Sequence, residues 1–372
     1  MQAKQINLYP LTLQLKAPFK TAHDVTYQRP LTLVEIVDAS GVKGYGDVQS
    51  FIDHGYAPEN QAESVAEIKR LVPALLAMSF VDASAVSRWL AEHSTLSFAK
   101  AALEMAFWDI DGKRRNMSLA TMLGGTAIQT QVAVGIAIGM QADWAATYQQ
   151  VAAAVTAGYR RIKLKIDAAT DLTALGALIA DFPGQLFSVD ANAAWQPADQ
   201  PRLKALADAG VYMLEQPFHE TAWAAHERAQ RAVPTLHLSL DESLNNESDV
   251  QRALQNRTTD ALTLKQGKIG GIWVTKQAIT SAQQAQLRPW IGGMLSSGVG
   301  RAADLALAAQ PGANDIPSDS SSSSRYFVRD IIMEQTDITA GCLPVPMAPG
   351  LGVTIDWQAV HVLQSGSTVQ FQ

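Results

Sequence analysis

The stretch RIKLKID, residues 161–167, has the composition of a β-strand but carries two lysines. Successive side chains of a strand point to opposite faces, so the three aliphatic residues share one face while Lys163 and Lys165 share the other. We expect the aliphatic face to pack against helices. The lysine face must then contact water, anions or the inside of a barrel. Which of these environments surrounds the two lysines determines the fold and the chemistry.

Strand-like runs recur after Thr126 at intervals of roughly 25 residues, separated by alanine-rich helical stretches. Strands that alternate with helices indicate parallel strands joined by crossover helices. Seven such units are too many for a small doubly wound sheet and come close to the eight of a (β/α) barrel, which is therefore the predicted fold. The runs are QVAVGIAIG, RIKLKID, LFSVDA, VYMLEQP, LHLSLDE, ALTLKQG and LRPWIGG.

The two ends of the chain follow other patterns. Residues 5–16 and 31–38 are β-rich and alternate, which predicts a small antiparallel sheet, and residues 60–115 have helical periodicity. Strands followed by a run of helices are typical of an α+β domain. We therefore predict an α+β domain at 1–125, a barrel at 126–325 and a C-terminal segment at 326–372 that returns to the first domain.

The serine-rich stretch SDSSSSS, residues 318–324, interrupts the end of the predicted barrel. Its low complexity is typical of a linker between domains. An apolar, strand-like run follows soon after Arg325, so a structured loop at the barrel rim is equally consistent with the sequence. The eighth strand position is not located by these patterns.

Composition and charge exclude several classes of protein. The 372 residues are 47% hydrophobic and 17% charged, as in ordinary globular proteins, and the net charge of -6 gives no basic footprint for nucleic acid. The single cysteine, Cys342, excludes an intramolecular disulfide and agrees with a reducing compartment. No apolar run has the length of a signal peptide or approaches the ~20 residues of a membrane span. A cytoplasmic location is expected.

A polar residue lies near the end of each of five consecutive predicted strands: Lys165, Asp190, Glu215, Asp241 and Lys265, spaced 24 to 26 residues apart. Barrel enzymes carry their catalytic groups at the carboxyl ends of the strands, so we expect these five side chains to meet in one site. Three neighbouring carboxylates repel one another unless a cation neutralises them. An all-oxygen site suits Mg²⁺ or Mn²⁺ rather than zinc, so a metal ion is predicted.

The two lysines come from the strands on either side of the carboxylates, so a metal-bound substrate would lie between two amines. The positive charge of Lys163 disfavours the ammonium form of Lys165, which would make Lys165 a usable base. Asn192 is either a loop cap or part of the site, and Glu242 either supports a ligand or begins a helix. The seven histidines show no pairing at metal spacing, and we expect them to be structural.

These residues resemble the signature of the enolase superfamily, and within it the muconate-cycloisomerase-like subgroup. The similarity includes the K-x-K at 163–165, the strand ends VDAN, LEQP and LDES, and the segment LKQGKIGG. It extends over essentially the whole chain. Four further segments look most like the family of o-succinylbenzoate synthases related to N-acylamino acid racemases: PFKTAH at 18–23, GYGD at 44–47, AKAALEMAFWDIDGK at 99–113 and GGMLSSGVGRA at 292–302.

The resemblance implies a modified (β/α)₇β barrel covered by an α+β capping domain that is built from both ends of the chain. It implies Asp190, Glu215 and Asp241 as Mg²⁺ ligands and Lys165 and Lys265 as the catalytic pair. Phe19, Lys20 and the loop after them would cover the substrate. The implied substrate-binding residues are Lys163, Asn192, Phe19, Gly293, Met294 and Ser296, and Glu242 and Lys268 are expected to support the ligands and lysines from behind.

The implied activity is o-succinylbenzoate synthesis, a syn-dehydration of 2-succinyl-6-hydroxy-2,4-cyclohexadiene-1-carboxylate in menaquinone biosynthesis. Lys165 would take the proton α to the carboxylate and then act as the acid, while Lys265 stabilises the charge from the other face. Family members also imply a small carboxylate substrate and a homo-oligomer. Three positions depart from common relatives: Ser296 replaces a glutamate, Lys268 an arginine found in racemising members, and Asp47 the glutamate of GxGE.

Other functions remain open. The same fold serves N-acylamino acid (N-succinylamino acid) racemases, muconate cycloisomerases and dipeptide epimerases. A Schiff-base aldolase barrel would use Lys165 or Lys265 as nucleophile, but that chemistry needs no metal and leaves the three carboxylates unexplained. A non-catalytic descendant of the fold is expected to have lost at least one of the five polar residues, whereas this chain retains them all.

Overall fold

The computed structural model describes residues 1–20 and 25–372. Its first part consists of strands followed by helices, as predicted. Helix α1 begins with a capping box, in which the Asn60 side chain accepts from the Glu63 N–H and the Glu63 carboxylate accepts from the Asn60 N–H. The elements are β1 (Ala3–Lys20), β2 (Val25–Asp38), β3 (Lys43–Val48), α1 (Gln61–Ala77), α2 (Ala83–His93), α3 (Ser97–Arg115) and α4 (Leu119–Gly124).

The GYGD motif explains how β3 packs on α3. A Cβ at Gly44 or Gly46 would lie 2.0 Å from the Ala106 carbonyl oxygen or 2.1 Å from that of Ala102. Only glycine allows the strand backbone to approach the helix backbone this closely. The cap thus forms a second hydrophobic core between its sheet and α1–α3.

The middle of the chain alternates strands and helices, with one 3₁₀ turn at Pro197–Asp199. The elements are β4 (Gln131–Ala133), β5 (Gly135–Ile138), α5 (Trp144–Thr156), β6 (Arg161–Lys165), α6 (Leu172–Ala180), β7 (Leu186–Asp190), α7 (Arg202–Asp208), β8 (Met213–Glu215), α8 (Trp223–Ala232), β9 (His237–Leu240), α9 (Glu247–Asn256), β10 (Ala261–Leu264), α10 (Gln266–Ile269), α11 (Ile272–Gln284), β11 (Arg288–Ile291) and α12 (Gly298–Ala308). The last elements are α13 (Ser323–Tyr326), β12 (Cys342–Pro344), α14 (Trp357–Leu363) and β13 (Val369–Phe371).

Seven of these strands form one parallel sheet in the order β5-β6-β7-β8-β9-β10-β11, so each predicted run supplies one strand. The first run is divided, because β4 pairs separately with β12. Along β6 the aliphatic residues Ile162 and Leu164 join the main hydrophobic core. Lys163 and Lys165 face the barrel interior, which answers the question posed by RIKLKID.

The serine-rich stretch lies between the first and last strands of this sheet. The Ser318 N–H donates to the Ala133 carbonyl at 3.0 Å, the Gly135 N–H donates to the Ser318 carbonyl at 2.7 Å, and the Asp319 N–H donates to the Ile291 carbonyl at 3.2 Å. The Ser318 hydroxyl also donates to the Ile291 carbonyl at 2.9 Å. This segment therefore occupies the eighth position of the ring and is not a linker.

The cap sheet is antiparallel, in the order β13-β1-β2-β3. The C-terminal strand β13 pairs with β1, so both ends of the chain contribute to the cap. The predicted fold class, a modified (β/α)₇β barrel with an α+β cap, is confirmed. The domain boundaries at 125 and 325 stay predictions. Among the described residues we find no helix with the length and apolar character needed to cross a bilayer.

Candidate active site

A cavity of about 700 Å³ lies at the carboxyl ends of the barrel strands, beneath the cap. Its barrel side includes both predicted catalytic lysines and most of the predicted substrate-binding residues. Its cap side is formed by Phe19, Thr26 and the segment after β3, which we call the cap loop (residues 49–58). The predicted residues on its lining are Phe19, Lys163, Lys165, Asn192, Asp241, Glu242, Lys265, Gly293 and Met294.

Lys163 projects from β6 into a buried group of carboxylates. Its Nζ lies 2.5 Å from Asp319 Oδ2, 2.8 Å from Glu215 Oε2 and 3.5 Å from Asp190 Oδ2. Burial lowers the pKa of Lys163, but the charges of the three carboxylates outweigh burial and hold it above the usual range. These carboxylates therefore favour the ammonium form of Lys163. Its predicted effect on Lys165 stays a prediction.

Lys165, at the end of β6, is held by two partners from β7 and the turn after it. Its Nζ lies 2.7 Å from Asp190 Oδ2 and donates to Asn192 Oδ1 at 2.7 Å. Asn192 adopts a left-handed backbone conformation with φ of +42°, and its amide donates to Glu242 Oε1 at 2.9 Å. Asn192 thus connects Lys165 to Glu242, and both residues line the cavity, while their roles in the site stay predictions.

Lys265 reaches the cavity from the end of β10. Its Nζ lies 2.7 Å from Asp241 Oδ2 and donates to the Tyr56 hydroxyl at 2.6 Å; this hydroxyl in turn donates to Asp241 Oδ1 at 2.9 Å. Burial lowers the pKa of Lys265, but the neighbouring carboxylates raise it above the usual range. Lys268, one helical turn later, donates to the Asp241 backbone carbonyl at 2.6 Å. Lys268 thus contacts the strand end that carries Asp241, and its supporting role stays a prediction.

The three predicted metal ligands are buried on adjacent strands. In the strand register Asp190 is opposite Glu215, and Asp241 follows the end of β9 directly. Burial, followed by the charge of Asp190, raises the pKa of Glu215 to about 7. The free oxygen of this carboxylate, Glu215 Oε1, is buried and makes no hydrogen bond within the described structure. A bound cation would stabilise the ionised form of Glu215 and would give its free oxygen a partner.

The carboxylates are turned towards lysines in this structure. Across residues 1–20 and 25–372, no three His, Cys, Asp or Glu side chains stand at the spacing that would enclose a metal ion. The donors are nonetheless all oxygen, as hard divalent cations prefer, and the unsatisfied Glu215 oxygen is available to one. The residues present therefore fit a hard cation by their chemistry, while the ligand set itself stays a prediction.

Ser296 requires a correction, because it was expected to bind substrate. It is fully buried and does not line the cavity; its Oγ lies 3.5 Å from Asp304 Oδ2. The next residue, Ser297, caps α12 and accepts from the Val299 N–H, so the turn directs Ser296 into the contact between barrel and cap. The predicted covering loop after Phe19, residues 21–24 with His23, lies outside the described residues, as does the side chain of Lys20.

Two site residues have no counterpart in the sequence predictions: Tyr56 on the cap loop and Asp319 at the eighth strand position. Asp319 Oδ1 accepts from Arg161 Nη2 at 2.5 Å while Oδ2 pairs with Lys163. Neither lies in a motif or at the 25-residue spacing. His54 and His219 also line the cavity, although the histidines were expected to be structural only.

Comparison with known proteins is consistent with this geometry. Residues 5–124 match the family described as mandelate racemase / muconate lactonizing enzyme, N-terminal domain, and residues 146–359 match the enolase C-terminal domain-like family. The chain is 35% identical to an o-succinylbenzoate synthase of Enterococcus faecalis, covering 95% of this chain and 96% of that protein.

Two further relatives are similar over nearly the whole length. An N-succinylamino acid racemase of Thermus thermophilus is 33% identical, with 95% of each chain covered. A crystal structure of an enolase superfamily member from Listeria innocua superposes with a TM-score of 0.94 at 31% identity, covering 100% of this chain and 99% of that one.

Proposed function

Because the chain belongs to the mandelate racemase / muconate lactonizing enzyme family of the enolase superfamily, whose members depend on a divalent metal, we propose that it is an o-succinylbenzoate synthase. One observation carries the proposal. Lys165 and Lys265 line the same cavity from β6 and β10, four positions apart in a ring of eight, with buried carboxylates on the strands between them. A small carboxylate bound there would have one amine on each face.

The proposed reaction removes a proton and then hydroxide. The neutral amine of Lys165 takes the proton from the carbon α to the substrate carboxylate, and the electrons left behind expel hydroxide from the neighbouring carbon. The Lys165 ammonium returns its proton to this hydroxide, so water leaves and the ring becomes aromatic. Lys265 stays charged and stabilises the developing negative charge from the other face.

The proposed metal ligands are Asp190, Glu215 and Asp241, and the proposed ion is Mg²⁺, with Mn²⁺ as an alternative. When bound, the ion would polarise the substrate carboxylate and stabilise its negative charge. Lys163 supplies a second fixed positive charge beside the same position, because its ammonium is buried among carboxylates. We therefore assign Lys163 to binding of the substrate carboxylate.

The test is conversion of 2-succinyl-6-hydroxy-2,4-cyclohexadiene-1-carboxylate to o-succinylbenzoate by the purified protein. Lys165→Ala should abolish turnover, whereas Lys204→Ala, at an exposed lysine on α7, should not. Prolonged EDTA treatment should remove activity, and Mg²⁺ or Mn²⁺ should restore it. Full turnover by Lys165→Ala, or by the chelated protein, would refute the assignment.

Racemisation of N-succinylamino acids is the second candidate, and the presence of both lysines on the cavity favours it. That reaction requires Lys265 itself to gain and lose a proton. The structure ties Lys265 to both Asp241 and Tyr56, and Lys268 stands at the position where the family resemblance implies an arginine in racemising members. A lysine is a compact point charge rather than a rigid fork, so we propose that racemisation is weak.

We also propose that the protein is a cytoplasmic homo-oligomer that binds neither nucleic acid nor membrane. The free Cys342 supports the cytoplasmic location, and the net charge of -6 supports the absence of nucleic-acid binding. The homo-oligomer is proposed from the family resemblance alone. Light scattering on a sizing column would show a single monomeric mass if the oligomer is absent.

A further inference from the structure

Arg29, on β2, lies outside the cavity lining but is completely buried. Its guanidinium donates to four backbone carbonyls: Ser50 at 2.9 Å, Leu295 at 3.0 Å, Pro30 at 3.1 Å, and Gln49. A buried arginine is costly unless its donors are satisfied, and this one is satisfied mainly by main-chain oxygens. Such contacts fix backbone positions rather than side chains.

Apart from Pro30, the neighbour of Arg29 on β2, these carbonyls belong to two different parts of the protein. Gln49 and Ser50 begin the cap loop, whereas Leu295 follows β11 in the barrel and lines the cavity. The planar guanidinium presents five donors in a fixed geometry, so it sets the distance between these two segments. Arg29 therefore joins the two walls of the cavity from behind.

A chain of contacts leads from Arg29 to the catalytic centre. The guanidinium carbon lies 4.2 Å from the ring centroid of Phe51, and the Phe51 ring meets Tyr56 edge-on at 5.6 Å. The Tyr56 hydroxyl accepts from Lys265 at 2.6 Å and donates to Asp241. The cap loop thus places a hydroxyl directly on the second lysine.

The cap loop has other anchors along α1: the Phe51 carbonyl accepts from the Gln61 N–H at 2.7 Å, the Ser50 carbonyl also accepts from Gln61 Nε2 at 2.9 Å, and the His54 ring bonds to Glu63 at 2.9 Å. Residues 52–55 are exposed, and the far end is held by Glu59, which accepts from the Phe98 and Ala99 N–H groups at 2.9 and 3.0 Å. Between these ends, the inward-facing Phe51 and Tyr56 depend on the position of the loop backbone. Arg29 is the charged group that fixes the start of that backbone.

We infer that Arg29 is a positioning residue: it holds the cap loop so that Tyr56 meets Lys265, although Arg29 itself touches neither substrate nor lysine. The inference deepens the proposed function and rests on it for its kinetic readout only. A second readout, amide hydrogen exchange, needs no substrate, so the two proposals can fail separately.

The first experiment compares hydrogen exchange in the parent protein and in Arg29→Lys, which keeps the charge but loses the fork. We expect amides of residues 49–60 to exchange at least tenfold faster, with no change in peptides of β7–β9. Asp109→Asn is the matched control: Asp109 is equally buried and accepts from the Tyr45 and Leu351 N–H groups, away from the cavity. Unchanged exchange at residues 49–60 would overturn the inference.

The second experiment is a double-mutant cycle of Arg29→Lys with Tyr56→Phe, read as kcat/KM. If Arg29 acts through Tyr56, each single change should lower kcat/KM at least fivefold. The kcat/KM of the double variant should then lie within twofold of that of the less active single variant. Losses that multiply would show that Arg29 has only a general structural role. Should Arg29→Lys not fold, Arg29→Gln, which keeps part of the hydrogen-bonding capacity without the charge, replaces it in both experiments, with the same expected and contradicting results.

Discussion

Replacing Asp319 with asparagine removes the one carboxylate that joins Arg161 to Lys163 at the closure of the barrel. Both cations lie 2.5 Å from its oxygens, and their side chains are 0% and 4% exposed. Breaking a buried ion pair by removing one partner costs about 3–5 kcal/mol. Lys163 keeps Glu215, and Arg161 keeps the Ser188 hydroxyl at 2.7 Å, so we expect the lower value, about 3 kcal/mol.

The assay is urea unfolding in the presence of EDTA, followed by circular dichroism and tryptophan fluorescence. Ser320→Ala is the matched control, because Ser320 is buried in the same segment but makes a neutral hydrogen bond to the Ser318 hydroxyl at 2.9 Å. Losing such a bond should cost about 1 kcal/mol. If Asp319→Asn lowers the free energy of unfolding no more than Ser320→Ala does, the ion-pair account of the closure is wrong.

Three further changes test other parts of the structure. Burial raises the pKa of Glu104 to about 7, so its carboxyl holds a proton more tightly in the folded state and the free energy of unfolding should fall as pH rises from 4.5 to 7. Glu104→Gln removes this fall, so urea titrations should show the free energy of unfolding of the variant, relative to that of the parent, rising by roughly 2–3 kcal/mol between pH 5 and pH 8, whereas an equal difference at both pH values would contradict it. Gly292→Ala would place a Cβ 2.8 Å from Lys265 Cε, so kcat should fall at least tenfold with the fold intact by circular dichroism; unchanged kcat would show that the lysine can move aside. Lys265→Arg keeps the charge but cannot serve as a base, so deuterium incorporation into one enantiomer of an N-succinylamino acid should cease while some dehydration remains; persisting exchange would contradict its role.

The barrel could be predicted because its signal is local and repeated. Each strand is an apolar run that ends in a polar residue, and the β/α unit sets the interval to the next. The five residues from Lys165 to Lys265 follow from that period alone, and the structure places them around one cavity or directly beneath it. Neighbouring strands pair so that Lys165 lies opposite Asp190 and Asp190 opposite Glu215. Residues that are evenly spaced in the sequence therefore lie close together in the barrel.

The remaining site residues carried no such signal. The eighth strand position is a short segment of serines, whose backbone is paired by only a few hydrogen bonds, so it has neither β-rich composition nor periodicity. Tyr56 reaches Asp241 across 185 residues of sequence, and only the placement of the cap over the barrel brings them together. Ser296 was assigned to the cavity together with its neighbours Gly293 and Met294, but it is fully buried and its Oγ lies near Asp304 instead.

The most direct test of the proposed function is the ratio of two kcat/KM values on one preparation of the Mg²⁺-loaded protein: dehydration of 2-succinyl-6-hydroxy-2,4-cyclohexadiene-1-carboxylate and racemisation of an N-succinylamino acid. Dehydration needs one base that is reused as the acid, and Lys165 can supply it alone. Racemisation needs proton transfer by Lys265, which the structure ties to Asp241 and Tyr56. We predict that dehydration is faster by at least tenfold; faster racemisation would contradict the assignment and make the protein an N-succinylamino acid racemase.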